Sequence, residues 1–224
     1  MVFEIQKASR ENAKEIAELL LSVSTSPRLI LEFAACEREE WLQWYVQNVQ
    51  CEIAACGRVG DEEAQALVAV DSEAAGRIAG FAVWSWSANV PNLLATSKSS
   101  IALPQGTHLP LRHSYASALD ALEEKHRPEG RHYYLFDLAT SPEYQRRGVA
   151  SRLLGYGLEK ADREGVKVYL SASPMGAVVY ARLGFVEVGS LSVDLEEFGG
   201  GKGERHVHSK LKWKRLRRNI ANQE

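Results

Sequence analysis

The chain has 224 residues, of which 45% are apolar and 25% charged, the make-up of an ordinary globular protein. That excludes a disordered or fibrous chain and leaves enough length to bury a core without disulfide or metal staples. Lys and Arg number 27 against 29 Asp and Glu, a net charge of −2, so no global field draws in nucleic acid or anionic membrane, and both are disfavoured as partners.

The charge is uneven. Between Lys202 and Arg218 eight basic residues stand against Glu204 alone, a local +7 that leaves about −9 for the remainder. Cys36, Cys51 and Cys56 make an odd number without CxxC or histidine spacing, which supports neither a disulfide framework nor a zinc site and points to a reducing interior. Charged residues from Glu4 to Glu18 interrupt any apolar signal segment, and no apolar run approaches the roughly 20 residues that span a bilayer. The expected location is cytoplasmic, with a nuclear address left open by the basic end.

Val2, Phe3 and Ile5 predict a short first strand. Ala13, Ile16, Ala17, Leu19 and Leu20 then recur at helical spacing behind Ser9, a suitable N-cap. Pro27 is assigned to a loop, and Ala34 to Val49, with Trp41, Leu42, Tyr45 and Val49 on one side, to a second helix. Ala64 to Val70 and Arg77 to Trp86 predict a hairpin. Asn89 to Pro110, broken by Pro91, Pro104, Gly106 and Pro110, predicts a long loop, of the length that serves as a lid, a binding loop or an insertion.

A helix over Leu111 to Lys125 follows, then a strand over Tyr133 to Thr140 that Ser141-Pro142 stops. Apolar positions from Val149 to Ala161 share a helix face that ends at Gly165. Val166 to Leu170 is a strand, Pro174 opens a short helix, Gly184-Phe185-Val186 starts another strand, and Val207 to Trp213 is the last. Gly199 to Gly203 connects the final pair, and Lys214 to Arg218 frays into solvent.

The chemistry concentrates after Thr140. A strand, a short loop and a helix that begins near Gly148 leave unpaired N–H groups facing the end of the sheet, which is an anion site. Gly148 permits close approach of backbone to an oxygen-rich ligand, Ala150 keeps the first turn open, and Gln145, Arg146 and Arg147 add donors and charge. A pyrophosphate is the natural guest, and a helix start with solvated arginines is the plainer alternative.

Gln145-Arg146-Arg147-Gly148-Val149-Ala150 resembles the Q/R-x-x-G-x-G/A pyrophosphate loop of the GNAT superfamily of N-acetyltransferases. Tyr180-Ala181-Arg182-Leu183-Gly184-Phe185 resembles its Y-x-x-x-G-F signature. The likeness covers Tyr133 to Val188. It implies the GNAT fold: an α/β protein with a mixed sheet of about six or seven strands, splayed between the fourth and fifth and flanked by helices. The expected division is a single domain over 1–224, with helices and hairpin in 1–90, a variable loop and helix in 91–130, an acetyl-CoA-binding core in 131–188, and C-terminal strands and basic tail in 189–224.

The resemblance implies acetyl-CoA as cosubstrate and no metal. Its pyrophosphate loop falls on Gln145, Arg146, Arg147, Gly148, Val149, Ala150 and Ser151. Its pantetheine-pairing strand end falls on Leu138, Ala139 and Thr140, and the tyrosine that protonates the departing thiolate on Tyr180. Where the family often has asparagine this chain has Ser173, whose hydroxyl has fewer donors for pantetheine.

The acceptor amine must lose a proton before attack. Asp137 is the first candidate base; His132, Glu143 and the Glu37, Glu39 and Glu40 group are weaker ones. Trp84 and Trp86 fit core packing or an acceptor pocket. The expected activity is acetyl or acyl transfer to a small-molecule amine or a peptide by direct attack, in a monomer or homodimer, and a non-catalytic acyl-CoA sensor is the rival. All three cysteines lie outside the motifs, which disfavours an acyl-cysteine route.

Overall fold

The computed structural model describes residues 2–87, 94 and 98–213. Its strands are β1 (Phe3–Lys7), β2 (Ala64–Asp71), β3 (Arg77–Ser85), β4 (His132–Thr140), β5 (Lys167–Ala172), β6 (Phe185–Asp194) and β7 (Arg205–Trp213). Its helices are α1 (Ala13–Val23), α2 (Pro27–Glu32), α3 (Arg38–Val59), α4 (Leu109–Lys125), α5 (Val149–Glu164) and α6 (Pro174–Arg182).

The seven strands form one sheet in the order β1-β2-β3-β4-β5-β7-β6. β4 and β5 are parallel and every other neighbouring pair is antiparallel. The parallel pair follows from the α5 crossover between them, since parallel strands need a connection of a dozen or more residues. Apolar side chains fill both faces. Trp84, Tyr133, Leu135, Leu153 and Phe185 lie in one core. Ile16, Val49, Phe81, Val83 and Ala139 lie in the other, which includes residues of α1 and α3. A third cluster joins Leu111 and Leu122 of α4 to Leu191 and Val193 of β6.

Several boundaries depart from the sequence expectation. Pro27 opens α2 instead of lying in a loop. Ser26 caps that helix by accepting from the Leu29 amide at 3.3 Å, and proline fits a first turn because its missing N–H has no partner there. Six residues are too few to show a period. Buried Glu32 at the end of α2 pairs with Arg28 of the same helix and with Arg112 of α4. The second predicted helix begins later and runs longer, as α3, with Glu37 as N-cap.

α4 starts at Leu109 with Pro110 inside its first turn, and the His108 ring accepts from the Leu111 amide. Much of the predicted loop, 88–93 and 95–97, and the basic end, 214–224, lie outside the described residues. Lys210 and Lys212, counted in the basic stretch Lys202 to Arg218, belong to β7 as the predicted last strand has them, and Lys210 is fully buried.

The separation of β4 from β5 decides where a ligand can enter. Their pairing runs from His132↔Lys167 to Leu135↔Leu170 and stops there, while β3 continues beside β4 as far as Thr140. The β3 register skips one residue at this point: Val83 faces Asp137, but Trp84 faces Leu135, so Phe136 is an extra residue on β4. Such a bulge bends and twists the strand that carries it. It also resets the alternation. Tyr133, Leu135 and Leu138 pack in one core, and Phe136 and Ala139 in the other.

Candidate active site

The loop between β4 and α5 has two residues in left-handed backbone conformations, Arg146 at φ 60° and Gly148 at φ 85°. Left-handed residues in a turn aim successive amides into one concavity that suits an anion. Gly148 is the N-cap of α5, and the Arg152 amide is bonded back to the Gly148 carbonyl at 3.0 Å. The amides of Val149, Ala150 and Ser151 in the first turn therefore have no carbonyl inside the helix. A Cβ on Gly148 would meet nothing within 4 Å, so the glycine is required there by its left-handed backbone and not by crowding. The Gln145 side chain reaches back to the Thr140 carbonyl at 3.5 Å, and the Arg147 guanidinium lies over the Tyr144 ring. These residues fit a diphosphate.

Beside the opened end of β4 lies a cavity of about 740 Å³. Leu138 and Asp137 of β4, Ser171 and Ala172 of β5, Ser173 and Tyr180 of α6, and His208 of β7 line it. Tyr180 is 8% exposed and packs edge-on against Phe185 at 5.4 Å, which orients its ring. Burial raises the Tyr180 pKa above its ordinary value, and the charge of Asp137 adds to the rise, so the phenol keeps its proton at neutral pH. Ser173 is the N-cap of α6, its hydroxyl accepting from the Gly176 amide at 3.4 Å. That hydroxyl is therefore already engaged by the protein's own backbone.

The remaining candidates divide sharply. His132 lines the cavity with Nδ1 on the Gly130 carbonyl at 2.9 Å. Glu143 pairs with Arg77 at 3.0 Å, Glu39 accepts from Gln43, and Glu40 from the Gln105 amide; none of these acids lines the cavity. Trp84 and Trp86 are buried and stacked on one another in the core. Burial pushes the Cys56 thiol up to about 12, with the nearby Glu52 carboxylate adding to the effect, which makes it a poor nucleophile.

The tertiary structure adds groups that no motif marks. At the fork between β4 and β5, Glu123 of α4 accepts from Tyr134 Oη at 2.9 Å, from Ser171 Oγ at 2.6 Å and from buried Lys210. Although burial opposes it, Lys210, together with the Ser171 and Tyr134 hydroxyls, holds the Glu123 carboxyl below its usual value. Near Asp137, Glu52 of α3 pairs with Lys98. The only sequence signal for these groups was polar residues within apolar elements, which fixes no partner.

The acetyltransferase (GNAT) family model matches residues 27–185. A Staphylococcus aureus N-acetyltransferase structure aligns at TM-score 0.56 and 18% identity, over 93% of this chain and 99% of that one. A Corynebacterium glutamicum structure described as histone acetyltransferase HPA2 and related acetyltransferase aligns at 0.53 and 21%, over 94% and 96%. The PaiA N-acetyltransferase of Thermoplasma acidophilum, solved in complex with coenzyme A, aligns at 0.51 and 15%, over 96% and 99%. At these identities the likeness to solved structures is one of fold. The family match extends over most of the chain, and the protein belongs to the acetyltransferase (GNAT) family.

Proposed function

We propose that this protein is an N-acetyltransferase that moves an acyl group from acetyl-CoA to a primary amine by direct attack in a ternary complex. Family membership supplies the acyl-CoA-dependent chemistry. The observation that carries the finer reading is the meeting of Tyr180 and Asp137 in one cavity where β4 leaves β5.

In this reading the amides and side chains of Gln145, Arg146, Arg147, Gly148, Val149, Ala150 and Ser151 hold the pyrophosphate. The unpaired edge of Leu138, Ala139 and Thr140 bonds pantetheine, with Ser173 beside it. An N–H from that edge aimed at the developing oxyanion contributes on the order of 3 kcal/mol. Asp137 takes the proton of the acceptor's ammonium, and Tyr180 gives its proton to the departing thiolate. A phenol of pKa about 10 faces a thiol of about 8.5 in water, an uphill transfer. Burial raises the phenol further, so the transfer stays uphill and is carried by collapse of the tetrahedral intermediate as the thiolate leaves.

The reading carries with it a single domain over 1–224 with the divisions expected from sequence. It also carries a cytoplasmic location, a small-molecule or peptide acceptor, and a monomer or homodimer. Among the described residues no helix is long and apolar enough to cross a membrane, and no cluster of His, Cys, Asp or Glu is arranged to hold a metal.

The test has two parts. Acetyl-CoA is expected to raise the melting temperature, since a ligand specific to the folded state stabilises it, and an amine panel should release free CoA thiol. In Tyr180→Phe, kcat should fall by about 100-fold with acetyl-CoA affinity unchanged, the pattern of a group that acts in the transition state. Stabilisation without thiol release for any amine would replace the enzyme with an acyl-CoA sensor, and an unchanged kcat would remove Tyr180 from its role.

A further inference from the structure

Glu52 lies on α3 and is 2% exposed. Its Oε1 accepts from Lys98, but its Oε2 is buried with no hydrogen-bond partner. Asp137 stands within hydrogen-bonding reach of this carboxyl, and it is Asp137, not Glu52, that lines the cavity. The bulge at Phe136 explains the meeting. Unbroken alternation from Leu135 would send residue 137 to the α5 side of the sheet. The extra residue instead brings Asp137 within reach of Glu52 and Tyr45 of α3 and of Lys98.

A buried carboxylate oxygen with no donor costs several kcal/mol. Two carboxyl groups that face one another remove that cost when they hold one proton between them. The neighbouring groups are consistent with this. Tyr45, which bonds Ser24 at 2.7 Å, faces Asp137; Cys56 faces Glu52; Cys51 faces Lys98. Burial lifts Glu52 to about 8, opposed by Lys98 and assisted by Asp137. Burial also pulls Lys98 down, but Glu52 and then Asp137 overcome it and its pKa ends raised. The two shifts disagree about the ion pair: the attraction raises Lys98, whereas at Glu52 burial outweighs it and the charge of Asp137 adds to the rise.

We propose that Glu52 and Asp137 act as one proton-sharing carboxyl pair, in which Asp137 meets the acceptor amine and Glu52 is a positioning residue that stores the proton, anchored by Lys98. This rests on the assignment of Asp137 as base. With both acids ionised and balanced by Lys98, the pair takes a proton from a cationic primary amine. The ammonium N–H bond breaks, its electron pair stays on nitrogen for attack on the thioester carbon, and the proton passes through Asp137 to Glu52 Oε2. It leaves to water before the next turnover. A store whose proton affinity lies near the working pH is the most effective arrangement for such a base.

Infrared difference spectra of the unmodified protein between about pH 6 and about pH 9.5 are expected to show a protonated-carboxyl band at the acid end that is lost at the alkaline end. The band should vanish in Glu52→Gln and persist to higher pH in Lys98→Met. The kcat of the unmodified protein should rise through about pH 8, and Glu52→Gln should lose that rise and fall by about tenfold, with acetyl-CoA affinity within about twofold. No band in the unmodified protein, an undiminished band in Glu52→Gln, or superimposable kcat profiles would overturn the shared proton. Failure of the base assignment reads differently: Asp137→Asn would then keep full turnover.

Discussion

The Trp84 indole and Gly157 are in such close contact that a Cβ added at residue 157 would lie 2.4 Å from the ring carbons Cε2 and Cζ2. The same indole N–H donates to the Leu153 carbonyl at 3.2 Å, one turn earlier on α5. Trp84 is fully buried in β3, so it cannot yield, and the pair fixes how deeply α5 sits on the sheet. That seating sets where the first turn of α5, with the amides after Gly148, stands relative to the sheet.

Gly157→Ala therefore sets two effects against each other. Alanine improves helix propensity by about 1 kcal/mol, whereas overpacking a filled core costs about 1–3 kcal/mol. The expected result is a lower melting temperature together with weaker acetyl-CoA binding by calorimetry, because α5 must lift from the sheet. A more stable protein with unchanged affinity would show that the helix is not seated by this contact.

Gly148 poses the opposite case, since nothing lies within 4 Å of the position its Cβ would take. The whole penalty of Gly148→Ala is the left-handed backbone, about 1–2 kcal/mol. Relaxation out of φ 85° turns the amides away, so acetyl-CoA affinity should fall by about tenfold. Asparagine tolerates this conformation better than valine; calorimetry should rank Gly148→Asn above Gly148→Val, and equal affinities would separate the loop's conformation from cofactor binding.

His206 and His208 on β7 predict acid sensitivity. Burial lowers both to about 4, with Arg28 adding to the effect in each and the neighbouring histidine in His206. His208 Nδ1 lies 3.3 Å from the Tyr115 hydroxyl. The unfolded chain, with histidines near 6.5, then binds more protons than the native one at intermediate pH. The stability of the neutral rings is complete above about 6.5 and is lost as the pH falls through about 4. The urea midpoint should drop across this window, and His208→Gln should flatten the drop. An identical slope in the variant would show that this imidazole titrates normally in the native state.

Local rules reach far into this chain. The strand over Tyr133 to Thr140, the helix behind Gly148 and its stop at Gly165 are legible because capping, glycine conformation and apolar period act within a few residues. The splay was legible only through the family motifs. α2 escaped notice because six residues are shorter than two helical turns, and its Glu32 is satisfied in part by Arg112, 80 residues away.

The sequence by itself determined most of the strands and helices, though not α2, and the amide-rich turn at Gly148, consequences of short-range geometry. Only the tertiary structure decided that Lys210, 87 residues from Glu123, is buried against it rather than solvated with the basic end. It likewise decided that Lys98 reaches Glu52 across 46 residues and that a bulge at Phe136 brings Asp137 to that pair. Electrostatic partners are chosen by folding distance, and a one-residue slip in strand register leaves no mark on composition or period.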